Sequence, residues 1–206
     1  MAFSMTVTGL KQFERFTQKL PDVARKAAAL AINTSARNAR AQASRLIRQQ
    51  VAFTAGYLNE PQRLFVGPFA TQERLVAVLR ARQRPTMLAR FGKQATRKGK
   101  PAGVRVRVKP GGASKVIRQA FFVRLNSGNL GVAVRADLAG QLGLRRLGLD
   151  SSIKPTGSQK KGRYIVLYGP SVDQVFRTVK DDMAPGVSAF TDSEFRRQFA
   201  RLAKFK

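Results

Sequence analysis

The spacing of apolar residues predicts a helical N-terminal part. Residues 3 to 8 alternate apolar side chains with Ser or Thr, which is typical of a short half-buried strand. From residue 10 to 20 the apolar positions recur at helical spacing and predict a helix that Pro21 ends. Pro21 and Asp22 form a favourable helix start, so we expect a long helix from there to about Val51.

The long helix carries a stripe of mostly small residues at spacings of three and four. Such a stripe lets a sheet or another helix approach closely, so we expect it to serve as a core face or as a contact between copies of the chain. The stripe consists of Ala28, Ile32, Ala36, Ala39, Ala43 and Ile47.

The rest of this helix is basic, with arginines at 37, 40, 45 and 48. No acid stands between Asp22 and Glu60, so these arginines lack the ion pairs of one helical turn that solvated helices commonly form. A surface that meets an anionic partner is one interpretation. A merely solvated basic face is the other.

The middle of the chain favours strands joined by turns. The expected strands are 63–69, 73–81, the two arms of a hairpin over 120–136, and 164–169. Two segments rich in Gly, Pro and Lys, 92–103 and 150–163, are predicted to be flexible basic loops.

Valine alternates with a cation directly after the first of these loops. In an extended strand the valines at 104, 106 and 108 would face a core, and the opposite face would carry Arg105, Arg107 and Lys109. Neighbouring cations in that row would stand about 7 Å apart and repel one another at the ~8 Å screening length of physiological salt. An anionic molecule opposite them is one interpretation, and a solvated sheet edge protected against unwanted pairing is the other.

Two helices are expected after Gly169, one from about Ser171 that ends before Pro185 and a last one capped by Thr191 or Asp192. The predicted fold is therefore α+β, with long N-terminal helices, a central mainly antiparallel sheet and C-terminal helices packed against it. We expect one structural domain over 1–206, formed from a helical part (1–60), a basic β-rich part (61–169) and C-terminal helices (170–206).

The net charge of the chain predicts a binding partner in addition to a fold. The 206 residues include 39 Lys or Arg and only 11 Asp or Glu, a formal charge of +28. Residues 74 to 136 contain 16 cations and no acid. Because 43% of the residues are hydrophobic, the chain can bury a core, so its charge favours a folded protein with an anionic partner.

Composition also argues against most enzyme chemistry. The chain has no Cys, His or Trp, which removes thiolate nucleophiles, Cys/His metal sites and the usual acid/base of neutral pH. Neither glycine-rich segment has phosphate-loop spacing, and the adjacent Asp181 and Asp182 point in different directions on a helix. We expect no catalytic site, no cofactor, no metal, no small-molecule substrate and no membrane association, and the first residues do not resemble a secretory signal.

The expected partner is duplex nucleic acid, bound by its backbone, or an acidic protein. Stacking of single-stranded bases is disfavoured, because the basic strands contain few aromatic residues beyond Phe121 and Phe122. The candidate contact residues are Arg97, Lys98, Lys100, Arg105, Arg107, Lys109, Lys160, Lys161 and Arg163.

Four segments in this order resemble the minor tail protein Z family of lambda-like tailed bacteriophages. They are GLKQFERFTQKLPDVARKAAALAINTSARNARAQASRLIRQQV, VGPFATQERLVAVLRARQRPTMLARF, GVRVRVKPGG, and LYGPSVDQVFRTVKDDM with the closing FRRQFARL. The resemblance implies a structural virion protein, assembled in the host cytoplasm, that completes the head-proximal end of the tail and joins it to the neck.

The resemblance also implies partners and an assembly. These would be the tail terminator, the tail tube and the head-tail connector, further copies of the chain in a ring around the DNA path, and the phage DNA end through its backbone. The alternative function is a sequence-nonspecific nucleic-acid-binding protein of ribosomal or chromatin type, although such proteins usually carry their basic arms at the termini.

Overall fold

The computed structural model describes residues 22–139 and 164–203, and these residues divide into two compact units. The helical unit combines the chain before Arg84 with the chain from Val172 onward, and the sheet unit is the stretch Arg84–Ser171. The α+β fold class is confirmed. The expected strand over 3–8, the helix over 10–20 and the loop over 150–163 lie outside the described residues. One structural domain over 1–206 stays a prediction.

The described elements alternate between long helices at the two ends and short strands in the middle. In chain order they are α1 (Asp22–Gln50), α2 (Ala55–Asn59), β1 (Leu64–Val66), β2 (Leu79–Ala81), β3 (Thr86–Met87), a 3-10 turn (Leu88–Phe91), β4 (Gly92–Arg97), β5 (Lys100–Val106), β6 (Lys115–Ile117), β7 (Phe121–Arg124), β8 (Leu130–Arg135), α3 (Ala136–Ala139), β9 (Tyr164–Gly169) and α4 (Val172–Ala203).

The helical unit is built on α1 and α4, which pack along each other in antiparallel directions. Near one end, the hydroxyl of Thr178 donates to Oε1 of Gln50 at 2.7 Å. Near the other end, Phe195 packs against a buried cluster that includes Ala28 and Ala29. Small side chains on α1 let the larger apolar side chains of α4, such as Phe176, be buried almost completely.

The C-terminal region is one continuous helix, so the prediction of two helices separated at Pro185 is wrong. A proline inside a helix removes one hydrogen bond and crowds the carbonyl four residues before it. Met183 and Val187, on either side of the proline, are both buried. Their burial in the unit outweighs the local cost of the proline. Thr191, predicted as a cap, instead donates its hydroxyl to the Val187 carbonyl within the helix at 2.7 Å.

Polar side chains of α1 fix the chain that follows it. The amide of Asn33 donates to the Ala70 carbonyl at 2.9 Å, and its oxygen accepts from the Ala70 N–H at 2.7 Å. Arg40 donates from Nε to the Leu64 carbonyl at 2.7 Å and from Nη2 to Oδ1 of Asn59 at 2.8 Å. Arg40 therefore has a structural role, which corrects the interpretation of the whole arginine set as a surface without internal partners.

The sheet unit contains two antiparallel sheets, β3-β9-β8-β7 and β4-β5-β6. In β8 and β9 consecutive side chains are buried, including Val132, Ala133 and Val134, so both faces of these strands are covered. The hairpin of β7 and β8, predicted over 120–136, is confirmed, as is the strand that begins at Tyr164.

The segment predicted as a loop over 92–103 is instead a β-hairpin of β4 and β5. Its two turn residues, Lys98 and Gly99, have φ of 51° and 75°. Two left-handed residues in a two-residue turn match the twist of paired strands. The strand predicted over 73–81 is shorter than expected, because only Leu79–Ala81 pairs with β1.

Candidate polyanion-binding surface

The three-stranded sheet β4-β5-β6 has one partly buried face and one cationic face. Register places Gln94, Val104 and Ile117 side by side on the first face, where Val104 has no exposed surface. The opposite face carries Lys93, Arg105 and Val116 in one row across the three strands, all of them exposed. Burial of the valines thus fixes which way the cations point.

The predicted alternation of valine and cation is confirmed in its burial. Val104 and Val106 are buried and Val108 is half-buried, whereas Arg105, Arg107 and Lys109 are exposed. The strand ends at Val106, but the N–H of Arg107 donates to the Phe91 carbonyl at 3.0 Å and extends the ordered backbone by one residue. What the three cations contact stays a prediction.

Lys93 is a member of this surface that the sequence did not reveal. It lies directly opposite Arg105 in the β4-β5 register, on the same face. Like charges that face each other across two strands destabilise the pairing. Lys93 was overlooked because its segment was interpreted as a loop, and only the register shows which residues stand opposite one another.

Three more of the predicted contact residues meet at the tip of the same hairpin. Arg97 pairs with Lys100 across the turn, Lys98 is the first turn residue, and all three are exposed. We call the hairpin β4-β5 with its five exposed cations the cationic ribbon; these cations are Lys93, Arg97, Lys98, Lys100 and Arg105. The other predicted contact residues, Lys160, Lys161 and Arg163, lie outside the described residues.

The cations of the ribbon are not paired with acids among the described residues. By sequence, residues 84–171 contain 19 Lys or Arg and only two acids, Asp137 and Asp150. Among residues 22–139 and 164–203, no carboxylate forms an ion pair with any of the five ribbon cations. A surface with this charge stores repulsion that a bound polyanion would relieve.

The small-residue stripe of α1 belongs to the core of the helical unit. Ala28, Ala39, Ala43 and Ile47 are buried, and Ile32 and Ala36 are half-buried. Since α4 packs along α1, the first of the two expected uses, a core helix face, fits this placement. The four buried residues are not accessible to a second copy of the chain.

Within 22–139 and 164–203, no cluster of three or more acidic side chains is placed to hold a metal ion. In the same ranges, every helix is too short or too polar to cross a membrane.

Comparison of the chain with protein-family models, with curated proteins and with solved structures found no match.

Proposed function

We propose that this chain is a non-enzymatic structural protein of a bacteriophage tail, which completes the head-proximal end of the tail by docking its cationic ribbon on an anionic macromolecule. The ordered resemblance of four sequence segments supports the phage context. The observation that carries the docking is that Lys93 lies directly opposite Arg105 across two strands, on an exposed face where neither cation has a carboxylate partner among the described residues.

The energetic cost of this placement is what argues for a partner. A cross-strand pair of opposite charges stabilises a sheet by about 0.2–1 kcal/mol, and a like-charge pair does the reverse. At the tip, Arg97 lies opposite Lys100 and repeats the same unfavourable arrangement, and Lys98 adds a third cation in the turn beside them. Repulsion of this kind is lost when anionic groups bind, so binding and folding of the sheet unit stabilise each other.

The charge also bears on the proposed ring. Copies that each carry a formal charge of +28 repel one another, so a ring of bare copies is disfavoured at low salt. We therefore propose that the ring assembles on its anionic neighbours, which are acidic faces of the tail terminator, the tail tube or the connector, or the DNA end.

The test is the position of the chain in intact particles of the phage that encodes it. Mass spectrometry of purified virions should detect the chain, and a reconstruction of the neck should place a ring of copies where the tail joins the head. Virions that contain every other tail protein but lack this chain would contradict the proposal.

A second candidate, a free sequence-nonspecific nucleic-acid-binding protein, is favoured by the lysine content of the ribbon tip. Lysine and arginine neutralise phosphates without sequence reading. Recovery of the chain cross-linked to nucleic acid in infected cells, together with its absence from particles, would select this candidate over the tail component.

A further inference from the structure

We infer that the cationic ribbon is an arm that enters the major groove of duplex DNA; this inference deepens the proposed function by naming the anionic partner. The ribbon is three-stranded only at its base, where β6 pairs with Val104–Val106. Beyond that point only Thr96–Arg97 and Lys100–Pro101 pair with each other. The outer part of the hairpin is therefore a two-stranded ribbon.

The dimensions of this outer part suit a DNA groove. Two paired residues and one turn residue on each side, at a rise of about 3.3 Å, give a projection of about 10 Å, and the two strands lie about 4.8 Å apart. The major groove of B-form DNA is about 12 Å wide and 8.5 Å deep, and it admits a two-stranded β-ribbon. The minor groove, about 6 Å wide, is too narrow for two strands with their side chains.

The chemistry of the ribbon favours nucleic acid over an acidic protein. All residues from Thr96 to Lys100 are exposed, and none of these five has a large apolar side chain. Protein–protein interfaces have a core enriched in aromatic residues and depleted in lysine. A tip of Arg97, Lys98 and Lys100 offers only charge and hydrogen-bond donors, which are the groups that contact phosphates and guanine edges.

The arm is held in shape before it binds. Its turn has two left-handed residues that match the strand twist, and the Gln94 amide donates across the strands to the Gly103 carbonyl at 2.9 Å. A preorganised arm loses little conformational freedom on binding, which favours affinity. Lys93 and Arg105, at the base of the arm, are then placed to contact the phosphates that border the groove.

The experiment measures binding of the full chain to a mixed-sequence 30-base-pair duplex over a salt series, by fluorescence anisotropy. The tip variant combines Arg97→Gln, Lys98→Asn and Lys100→Gln; asparagine is used because position 98 has a positive φ. The matched control removes three exposed cations of the helical unit, with Lys26→Gln, Arg45→Gln and Arg196→Gln.

We expect the tip variant to lose at least tenfold in affinity and the control less than threefold. Each phosphate contact contributes about 0.9 to the slope of log K against log salt, so the tip variant should have a slope shallower by about two to three. A charge-preserving variant with Arg97→Lys, Lys98→Arg and Lys100→Arg should bind like the parent chain. Equal losses in the tip variant and the control would overturn the inference.

Entry of the ribbon into the major groove can be measured separately from affinity, by chemical protection of the DNA bases. Bound parent chain should protect guanine N7, which lies in the major groove, from methylation by dimethyl sulfate, and the tip variant should not. Binding without protection, or equal affinity for poly-glutamate and for the duplex at the same salt, would overturn groove entry. These results do not depend on the virion test. A chain that is found in particles but whose tip variant binds DNA normally contradicts only this inference, whereas a DNA-binding tip in a chain absent from particles contradicts only the proposed function.

Discussion

The helical unit and the sheet unit use their cations in different ways. In the helical unit, Arg40 bonds backbone and side-chain oxygens, Arg63 lies 4.6 Å from the centre of the Tyr57 ring, and Arg197 pairs with Glu194 at 2.6 Å. In the sheet unit, the five cations of the ribbon extend from an exposed face and have no carboxylate partner among the described residues.

This contrast is matched by the distribution of acids. Residues 1–83 and 172–206 contain 20 Lys or Arg and nine Asp or Glu, whereas residues 84–171 contain 19 and two. Among the described residues, four cations of the helical unit pair with acids, namely Arg63, Arg177, Lys180 and Arg197, whereas the five cations of the ribbon do not. High net charge alone would not reveal this, because the two parts carry nearly equal numbers of cations.

The largest effect is expected from a substitution in the apolar interface of the helical unit. Phe176 of α4 is 2% exposed, and Phe176→Ala should lower the free energy of unfolding by about 3–5 kcal/mol, measured by urea denaturation. Phe199, on the same helix but 41% exposed, is the matched control. Phe199→Ala should change stability far less, and equal losses would show that packing at Phe176 does not hold the unit together.

A smaller but still large loss is expected for Gly103→Ala in the sheet unit. Gly103 has φ of 102°, and a Cβ there would lie 2.3 Å from the Ile117 carbonyl oxygen. Relief of this contact requires β6 to move away from β5, at a cost of about 3 kcal/mol. Gly99→Ala at the exposed turn, where a Cβ meets no atom within 4 Å, should cost less, even though its φ is also positive.

A moderate pH effect is expected in the helical unit. The hydrogen bond from Arg197 lowers the pKa of the buried Glu194 carboxyl below its usual value of 4.5. The unfolded chain therefore binds this proton at a higher pH than the folded chain, so the contribution of Glu194 is fully present well above pH 4.5 and is lost as pH falls through the lower folded value. Denaturation of the parent chain and of Glu194→Gln at pH 7 and at acid pH should show that the difference between them shrinks on acidification. A constant difference would contradict this contribution.

The smallest expected effect is a gain in stability rather than a loss. Lys93→Glu places a carboxylate opposite Arg105 and should stabilise the sheet unit by about 0.5 kcal/mol at low salt, with little gain at high salt. The same variant should bind duplex DNA more weakly. A variant that gains stability and also keeps its full affinity would show that the like-charge pair is not needed for binding.

Long periodic segments could be predicted from the sequence. The sequence also predicted which face of the strand around Val104 is buried. The helix α1 was predicted to within a residue of its end at Gln50, because 29 residues of helical spacing leave no alternative. The burial of Val104 beside the exposed Arg105 followed from simple alternation. These features depend on neighbours along the chain, which the sequence displays directly.

The remaining features depend on contacts between distant residues. Pro185 predicted a helix end, and packing along α1 overrides it. Glycine, proline and lysine predicted a loop at 92–103, yet Lys98 and Gly99 form a tight turn between two paired strands. Lys93 could be assigned to the candidate site only from its register with Arg105. Strand register depends on residues that are distant along the chain, so no local sequence pattern shows it.

The pairing of α1 with α4 has a consequence for synthesis of the protein. The 121 residues between Gln50 and Val172 must leave the ribosome before the alanine face of α1 can be covered by its partner helix. The sheet unit is continuous in sequence and can fold during that interval, whereas the helical unit must close a long chain loop afterwards. Chains that terminate early therefore expose an uncovered apolar helix, which marks them for chaperones and proteases before they can join an assembly.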